Sequence, residues 1–437
     1  MMVKRWNSQI MNCKKNAMTD APLERLTHPR MIQVRMPGSK SYTNRALIMA
    51  AITKGPVCLK NPLYSDDTEA MIECLRTLGL KIQTDPDQII VHDDISCIEE
   101  KNHQLFARDS GTTVRFMLAL LCIVPGVKII QGSTRLNERP ISDLVDALLS
   151  LGAKIEYCDV KGRLPVKVST STLFRNLVDL KGDMSSQFCS AILLISPYIK
   201  GLTIHTIGPC ISQPYIDMTL NCMQDWGVKV GIQEDGKYFV PEQSCYRKEQ
   251  YVVEGDFSSA GYFFAIAALT KSIITVDNLN PSSVQADRKF LHILERMGNI
   301  VSMQGNRVCV QGRQILALDI DMEDCPDQVM TMAVLAAFAK GVTKISGVRS
   351  LRVKETERVL ALKLELGKMG IRTEDTHDTL TIYGGVPHAA VIDTYNDHRM
   401  AMAFAVAGTY LPGMIISHPE VVNKTFPGFW DVLKGLG

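Results

Sequence analysis

The sequence predicts an α/β protein of two similar domains, each built from three βαβαββ repeats around buried helices. Three observations carry that expectation. An apolar stretch ending in glycine and leading into a strand-like segment recurs as LRTLGLKI, LLSLGAKI, MQDWGVKV, LERMGNIV and LGKMGIRT. Its glycines, Gly79, Gly152, Gly227, Gly298 and Gly370, lie 73, 75, 71 and 72 residues apart, a regularity that marks an internal repeat. Between them runs a second series of polar clusters that open apolar stretches: GSKSYTNRALIMAA, DSGTTVRFMLALL, DMSSQFCSAILLI, DFSSAGYFFAIAAL, CPDQVMTMAVLAAFA and YNDHRMAMAFAVAG. A turn and a β-branched segment follow most of these, as in KGPVCL, PGVKII, KGLTIHTI and KGVTKI, which read as strands.

Taken in order, a unit is strand, helix, strand, helix, strand, strand. The helix opened by a polar cluster is apolar all round in FMLALLCIV and AILLISPYI, so it has to be buried. The second helix alternates apolar and polar residues at helical spacing, as in TEAMIECLRTLG and SDLVDALLSLG, and its glycine suits a helix end that needs positive φ. VLKGLG places Gly437 a further 67 residues on, as a sixth unit truncated at the chain end. A unit of about 72 residues is too small for a good core of its own, so units should share central helices in groups. The polar stretch EDGKYFVPEQSCYRKEQY, residues 234–251, separates the third unit from the fourth. The expected division is residues 39–253 in one domain and 1–38 with 254–437 in the other, with hinges near Gly38 and Val253 and the active-site cleft between them.

Composition excludes several functions. Among 437 residues, 48 Lys and Arg balance 46 Asp and Glu to a net charge of +2, so no global basic field recruits nucleic acid or an anionic membrane. The longest apolar run, Phe116 to Val127, has 12 residues including Pro125 and Gly126, short of a spanning helix at ~18. Twelve cysteines show no Cys-x-x-Cys pair and no metal-ligand spacing, which predicts reduced thiols rather than a zinc site or a disulfide framework. Residues 1–17 lack the apolar region of a secretory signal and read as a disordered prefix on a cytoplasmic protein.

The polar clusters locate the chemistry. They open at Lys40, Ser110, Ser186, Ser259, Asp327 and Asp397, equivalent positions that should share one end of their domains. Helix N-termini carry unpaired N–H groups and partial positive charge, so several converging on one cleft form an anion site without net basic charge. Lys40, Arg45, Arg139, Lys354, Arg358, Arg399 and Lys424 stand at these openings or at the starts of the amphipathic helices. That placement opposes the helix dipole unless an anion offsets it. PGSKS around Lys40 lacks the glycines of a nucleotide-binding phosphate loop. Asp327 and Glu355, the latter in RVKETER, lie among these cations. From sequence they read equally as a helix cap and a helix ion pair or as ionised general bases.

Through PGSKSYTNRALIMAA, SGTTVRF, NERPISDLVDALLSLGAKI, SSQF, QPYID, EGDFSSAGYF, PDQVMT, RVKETER, YNDHRMAM and KTFPGF, from about Met31 to the C-terminus, the chain resembles the 5-enolpyruvylshikimate-3-phosphate synthase family. The resemblance implies the enolpyruvyl transferase fold, an inside-out α/β barrel in each of two domains. It also implies a reaction that joins phosphoenolpyruvate to the 5-hydroxyl of shikimate 3-phosphate and releases phosphate, with no metal or organic cofactor. By resemblance Lys40, Gly111, Arg139, Gln187, Arg358, Arg399 and Lys424 would hold phosphoenolpyruvate. Lys40, Ser41, Arg45, Ser185, Ser186, Gln187, Ser212, Tyr215, Asp327, Ser350 and Lys354 would hold shikimate 3-phosphate. Asp327 would act at the 5-hydroxyl, and Glu355 or Lys40 would protonate the enol methylene. Arg suits bidentate carboxylate pairing and Lys a compact phosphate contact.

The implied partners are these two small molecules, with neither nucleic acid nor membrane, and the implied state is a monomer. UDP-N-acetylglucosamine enolpyruvyltransferases share the fold but carry a loop cysteine; QGSTRLNERP here has none. A non-catalytic repeat module would have no reason to keep Asp327 and Glu355. The family often has Asn at the position of Asp109, Pro at that of Phe116 and Asn at that of Ser350. Asp109 adds a negative charge beside the phosphoenolpyruvate loop, where the inhibitor glyphosate would also bind, unless Arg108, Arg115 or Arg135 neutralises it.

Overall fold

A computed structural model describes residues 20–22, 26, 29–182, 185–199, 201–208, 212–233 and 235–436. The expected prefix and Gly437 lie outside the described residues. Six helices form the interiors: Lys40–Ile52, Gly111–Leu121 and Ser186–Ile195 in one half, Phe257–Thr270, Val329–Ala337 and His398–Gly408 in the other. Nearly every residue in them is buried, because sequences such as FMLALL and AILLI have no polar face to present to water. One hydrophobic core gathers residues from Tyr42 to Val253, and the second gathers Leu26, Val34, Met36 and residues from Phe257 to Leu436.

Among the described residues, five sheets have four strands each. In the second unit Asn102–Phe106 runs parallel to Val127–Gln131, which pairs antiparallel with Val166–Ser169 and through it with Lys154–Tyr157. This is the order expected of a βαβαββ unit. The repeat glycines Gly79, Gly152, Gly227, Gly298 and Gly370 all have φ between 81° and 107°, the left-handed turn that ends each amphipathic helix.

The units do not keep all their own strands. Met31–Arg35, which opens the first unit, pairs parallel with Ile273–Asp277 in the fourth unit's sheet. Gln250–Val252 returns the exchange by pairing with Val57–Lys60 in the first unit's sheet. The chain therefore crosses between the cores twice, and the crossings are bonded to each other. Gly38 and Gly255 form a β-bridge, the Ser39 amide donates to the Glu254 carbonyl at 2.8 Å and the Asp256 amide to the Pro37 carbonyl at 3.1 Å.

Two expectations need correction, and the segment before Met31 adds a strand that the sequence reading did not mark. The polar stretch 234–251 is more than a divider: Lys237–Phe239 joins the third unit's sheet between Thr203–Ile207 and Gly231–Ile232, with Tyr238 alone of the three buried, and Gln250 begins the exchanged strand. The fourth buried helix opens on Asp256 instead of Ser259; the Asp256 carboxylate accepts the Ser259 amide at 3.0 Å, satisfying one of the free N–H groups. The sixth sheet gains its third strand from Asp20–Pro22, antiparallel to Ile415–Ser417.

The crossings predict a stability contrast. A Cβ on Gly255 would stand 1.8 Å from the Asn278 carbonyl oxygen, and one on Gly38 would stand 2.0 Å from that of Asn61. Gly255→Ala should cost about 1–3 kcal/mol or more in denaturant unfolding, since backbone has to move. Gly367, on the exposed side of the helix Arg358–Lys368 with open space around it, should accept Ala with a gain of about 0.5–1 kcal/mol.

Candidate active site

The starts of the buried helices face the seam between the two halves. From the first half come Lys40, Ser41 and Arg45 on one helix, Gly111, Thr112 and Phe116 on the next, and Ser185, Ser186 and Gln187 on the third, with Ser212 and Tyr215 beside them. From the second half come Asp327, Ser350, Lys354, Glu355, Arg358, His398 and Arg399. They line two adjoining pockets. One is rich in hydroxyls: Ser41, Ser185, Ser186, Ser212, Tyr215 and Ser350 surround Arg45 and Lys354. The other is rich in guanidinium groups, with Arg139, Arg358 and Arg399 around Glu355. Lys40, Thr112, Gln187, Asp327 and Lys354 belong to both.

Of the residues expected to hold the two substrates, all but Lys424 line one or both of these pockets. Lys424 lies behind the second pocket, bonded to Asp67 Oδ1 at 3.2 Å and to the Asp109 carbonyl at 2.6 Å. Asp327, in a short turn that runs into the helix Val329–Ala337, accepts from Arg399 at 2.6 Å, Arg358 at 3.2 Å and the Tyr215 hydroxyl at 3.4 Å. Glu355 accepts from Arg358 at 3.0 Å and stands 3.7 Å from Arg139. Arg358 also donates to Asp397 at 2.7 Å. Arg45 is buried under the Phe116 ring and donates to Thr219 and to the carbonyls of Ser41 and Tyr215 at 2.9–3.0 Å. Arg115 orients Gln187 through a 2.7 Å bond to its side-chain oxygen.

These neighbours set the charge states. Burial pushes Asp327 up, but Arg399, Lys354, Arg358 and Lys40 outweigh it and hold its carboxyl well below the usual carboxylate range. Burial likewise works against Glu355, and Arg358, Arg139 and Lys424 overcome it. Both are ionised at neutral pH. Burial brings the Lys354 ammonium down to about 8, with Arg358 and Arg139 adding to it against Asp327 and Glu355. Burial and the cations Arg399 and Lys40 keep His398 neutral.

Sequence reasoning passed over Asp67, Thr112 and His398 as site residues. Asp67, 5% exposed, takes Lys40 at 2.9 Å and Lys424 at 3.2 Å. It sits in the first turn of the helix Asp66–Thr77, beside Asp66 and Glu69, where acidic residues are ordinary dipole partners, so nothing local set it apart. His398 stands between Asp397 and Arg399, both of which the sequence had marked. The expected relief of Asp109 also comes from elsewhere. Arg108 is committed to Glu69 and Glu73, Arg115 to Gln187 and Arg135 to Glu138. Asp109 instead accepts the Ser133 hydroxyl, with the Lys424 ammonium on its carbonyl.

No helix among the described residues is long and apolar enough to cross a membrane, and no group of His, Cys, Asp and Glu among them is placed to hold a metal ion. Two sets of βαβαββ units thus face each other across a cleft lined by cations and carboxylates. Structures of EPSP synthase from Acinetobacter baumannii share this fold, with TM-scores of 0.77 and 0.76 at 23% and 22% identity, covering 96% and 95% of this chain and 98% and 97% of theirs. A family model for EPSP synthase (3-phosphoshikimate 1-carboxyvinyltransferase) matches residues 29–433. Proteins named 3-phosphoshikimate 1-carboxyvinyltransferase from Sulfurovum sp. (strain NBC37-1) and Photobacterium profundum are 38% and 37% identical over 411 and 413 residues, which is 92% of this chain and 96% of each relative. The chain belongs to the EPSP synthase family.

Proposed function

We propose that the chain transfers the enolpyruvyl group of phosphoenolpyruvate to the 5-hydroxyl of shikimate 3-phosphate, giving 5-enolpyruvylshikimate 3-phosphate and phosphate. The observation that carries this reading is the pair of adjoining pockets with Asp327 in both and Glu355 in one. The hydroxyl-rich pocket suits a polyol phosphate, with Lys354 and Arg45 at its charge. The guanidinium-rich pocket suits a ligand carrying both carboxylate and phosphate. Each pocket is completed within one chain, so a monomer suffices. Exposed unbridged thiols at Cys97, Cys158 and Cys245 suit the reducing cytoplasm.

In this reading Asp327 takes the proton of the 5-hydroxyl as its oxygen bonds to C2 of phosphoenolpyruvate. The methylene C3 gains a proton from Glu355 or Lys40, giving a tetrahedral intermediate. C3 then returns a proton, the bond from C2 to the phosphate oxygen breaks, the C2–C3 double bond reforms and phosphate leaves. Ionised Glu355 is ready to accept in the second half. To donate in the first it has to gain a proton, and the charges of phosphoenolpyruvate favour this by neutralising Arg139, Arg358 and Lys424.

Phosphate release measured with both substrates tests the assignment. Asp327→Asn and Glu355→Gln should keep the fold and lose ~10²-fold or more of kcat; parental turnover in either would remove that residue from the chemistry. Lys354 gives a pH signature, because it loses its charge as pH rises through about 8. The kcat/KM for shikimate 3-phosphate should fall above that pH, and Lys354→Arg, which stays charged, should lose that limb of the profile. Glyphosate should compete with phosphoenolpyruvate. A Cβ on Gly111 would stand 2.6 Å from an Arg115 nitrogen and 2.9 Å from one of Arg139, so Gly111→Ala should lose most of the inhibition. A parent enzyme indifferent to millimolar glyphosate would show that the Asp109 charge outweighs the space at Gly111.

A further inference from the structure

The short helix Thr134–Glu138 belongs to the half built on residues 42–253, yet two of its arginines work on the other half. Arg139, its C-cap, stands 3.7 Å from the Glu355 carboxylate. Arg135, four residues earlier and so on the same side of the turn, does not reach a side chain across the seam. Its Nε donates to the Glu355 carbonyl at 3.1 Å and its Nη2 to the Lys354 carbonyl at 3.2 Å. Its remaining arm, Nη1, is held by Glu138 at 3.2 Å. The helix is itself anchored, with the Ser133 hydroxyl on the Leu136 amide and the Asn137 side chain on the Gly132 amide.

The receiving segment is the loop between the turn Arg349–Val353 and the helix Arg358–Lys368. Among the described residues no other donor meets the carbonyls of Lys354 and Glu355. Two of the charged groups in the pockets thus sit on backbone whose carbonyls are held from the opposite half. A guanidinium spans two successive carbonyls with donors held apart in a fixed planar fork, which the single nitrogen of an ammonium lacks. Arg135 is about half exposed, so the contact acts through geometry more than through charge.

We propose that Arg135 is a positioning residue, a clamp that makes the placement of Lys354 and Glu355 depend on the two halves being closed together. The inference rests on the functional reading above. Its bonds exist only when the seam is shut, so they stabilise the closed arrangement over any open one. Arg135 lines neither pocket, and its effect on ligands is indirect.

The test compares the parent with Arg135→Ala and Arg135→Lys, each checked for an unchanged melting temperature. Arg135→Ala should lower kcat at saturating substrates about tenfold or more and weaken binding of shikimate 3-phosphate alone, read by calorimetry, by a smaller factor, because Lys354 loses its hold while Arg45 and the serines of that pocket keep theirs. In solution scattering with shikimate 3-phosphate and glyphosate, Arg135→Ala should stay more expanded than the parent. Arg135→Lys should recover only part of both losses. A kcat within twofold of the parent, or a kcat loss matched by an equal loss of shikimate 3-phosphate affinity with full compaction, would overturn the clamp. If the parent itself did not turn over, the functional reading would fail separately, and a ligand-bound radius unaffected by Arg135→Ala would overturn the clamp on its own.

Discussion

Arg358 stands where three carboxylates meet, and the rest of the site is arranged around that contact. Its guanidinium is 1% exposed and divides its donors among Asp397, Asp327 and Glu355 at 2.7–3.2 Å. A buried charge without partners would cost several kcal/mol, and a planar fork with an acceptor along each edge removes that cost only if all three acceptors are held in place. Each is held by the fold. Asp397 caps the last buried helix, Asp327 sits in the turn entering the fifth, and Glu355 lies one turn ahead of Arg358 itself.

The same pattern recurs across the seam, where Asp67 pairs with Lys40 of one half and Lys424 of the other. Cations that would repel one another are thus assembled in advance by fixed carboxylates. Entering anions find donors already oriented, and the order created on folding need not be created at binding. This explains how a chain with a net charge of only +2 concentrates positive charge in one cleft. The strand exchange around Gly38 and Gly255 serves the same end, since it ties the two cores together at one side of the seam while the helix starts face each other across it.

Much of this was legible in the chain. The repeat glycines, the buried helices and the cations at helix openings follow from local chemistry: positive φ, the absence of a polar face, and charge placed against the helix dipole. Individual roles for Ser212, Tyr215 and Gln187 came from the family resemblance, because a serine or glutamine carries no signal of its own. Asp256 was hidden behind Ser259 because both are good capping residues a turn apart. Lys237–Phe239 was hidden in a polar stretch because a strand of three residues buries only one side chain, even with a neighbour on each side.

What the sequence determined by itself is the repeating unit, which helices are interior and which residue types stand at their starts, since each depends on neighbours within a turn or two of helix. Only the tertiary structure decided that Met31–Arg35 leaves its own unit for the fourth, that Asp67 joins Lys40 to Lys424, and that Arg135 grips the carbonyls of Lys354 and Glu355. Equivalent strands of repeated units offer nearly the same edge, and exposed arginines look alike along the chain. The choice among partners is made by which surfaces the packed helices bring within hydrogen-bonding distance.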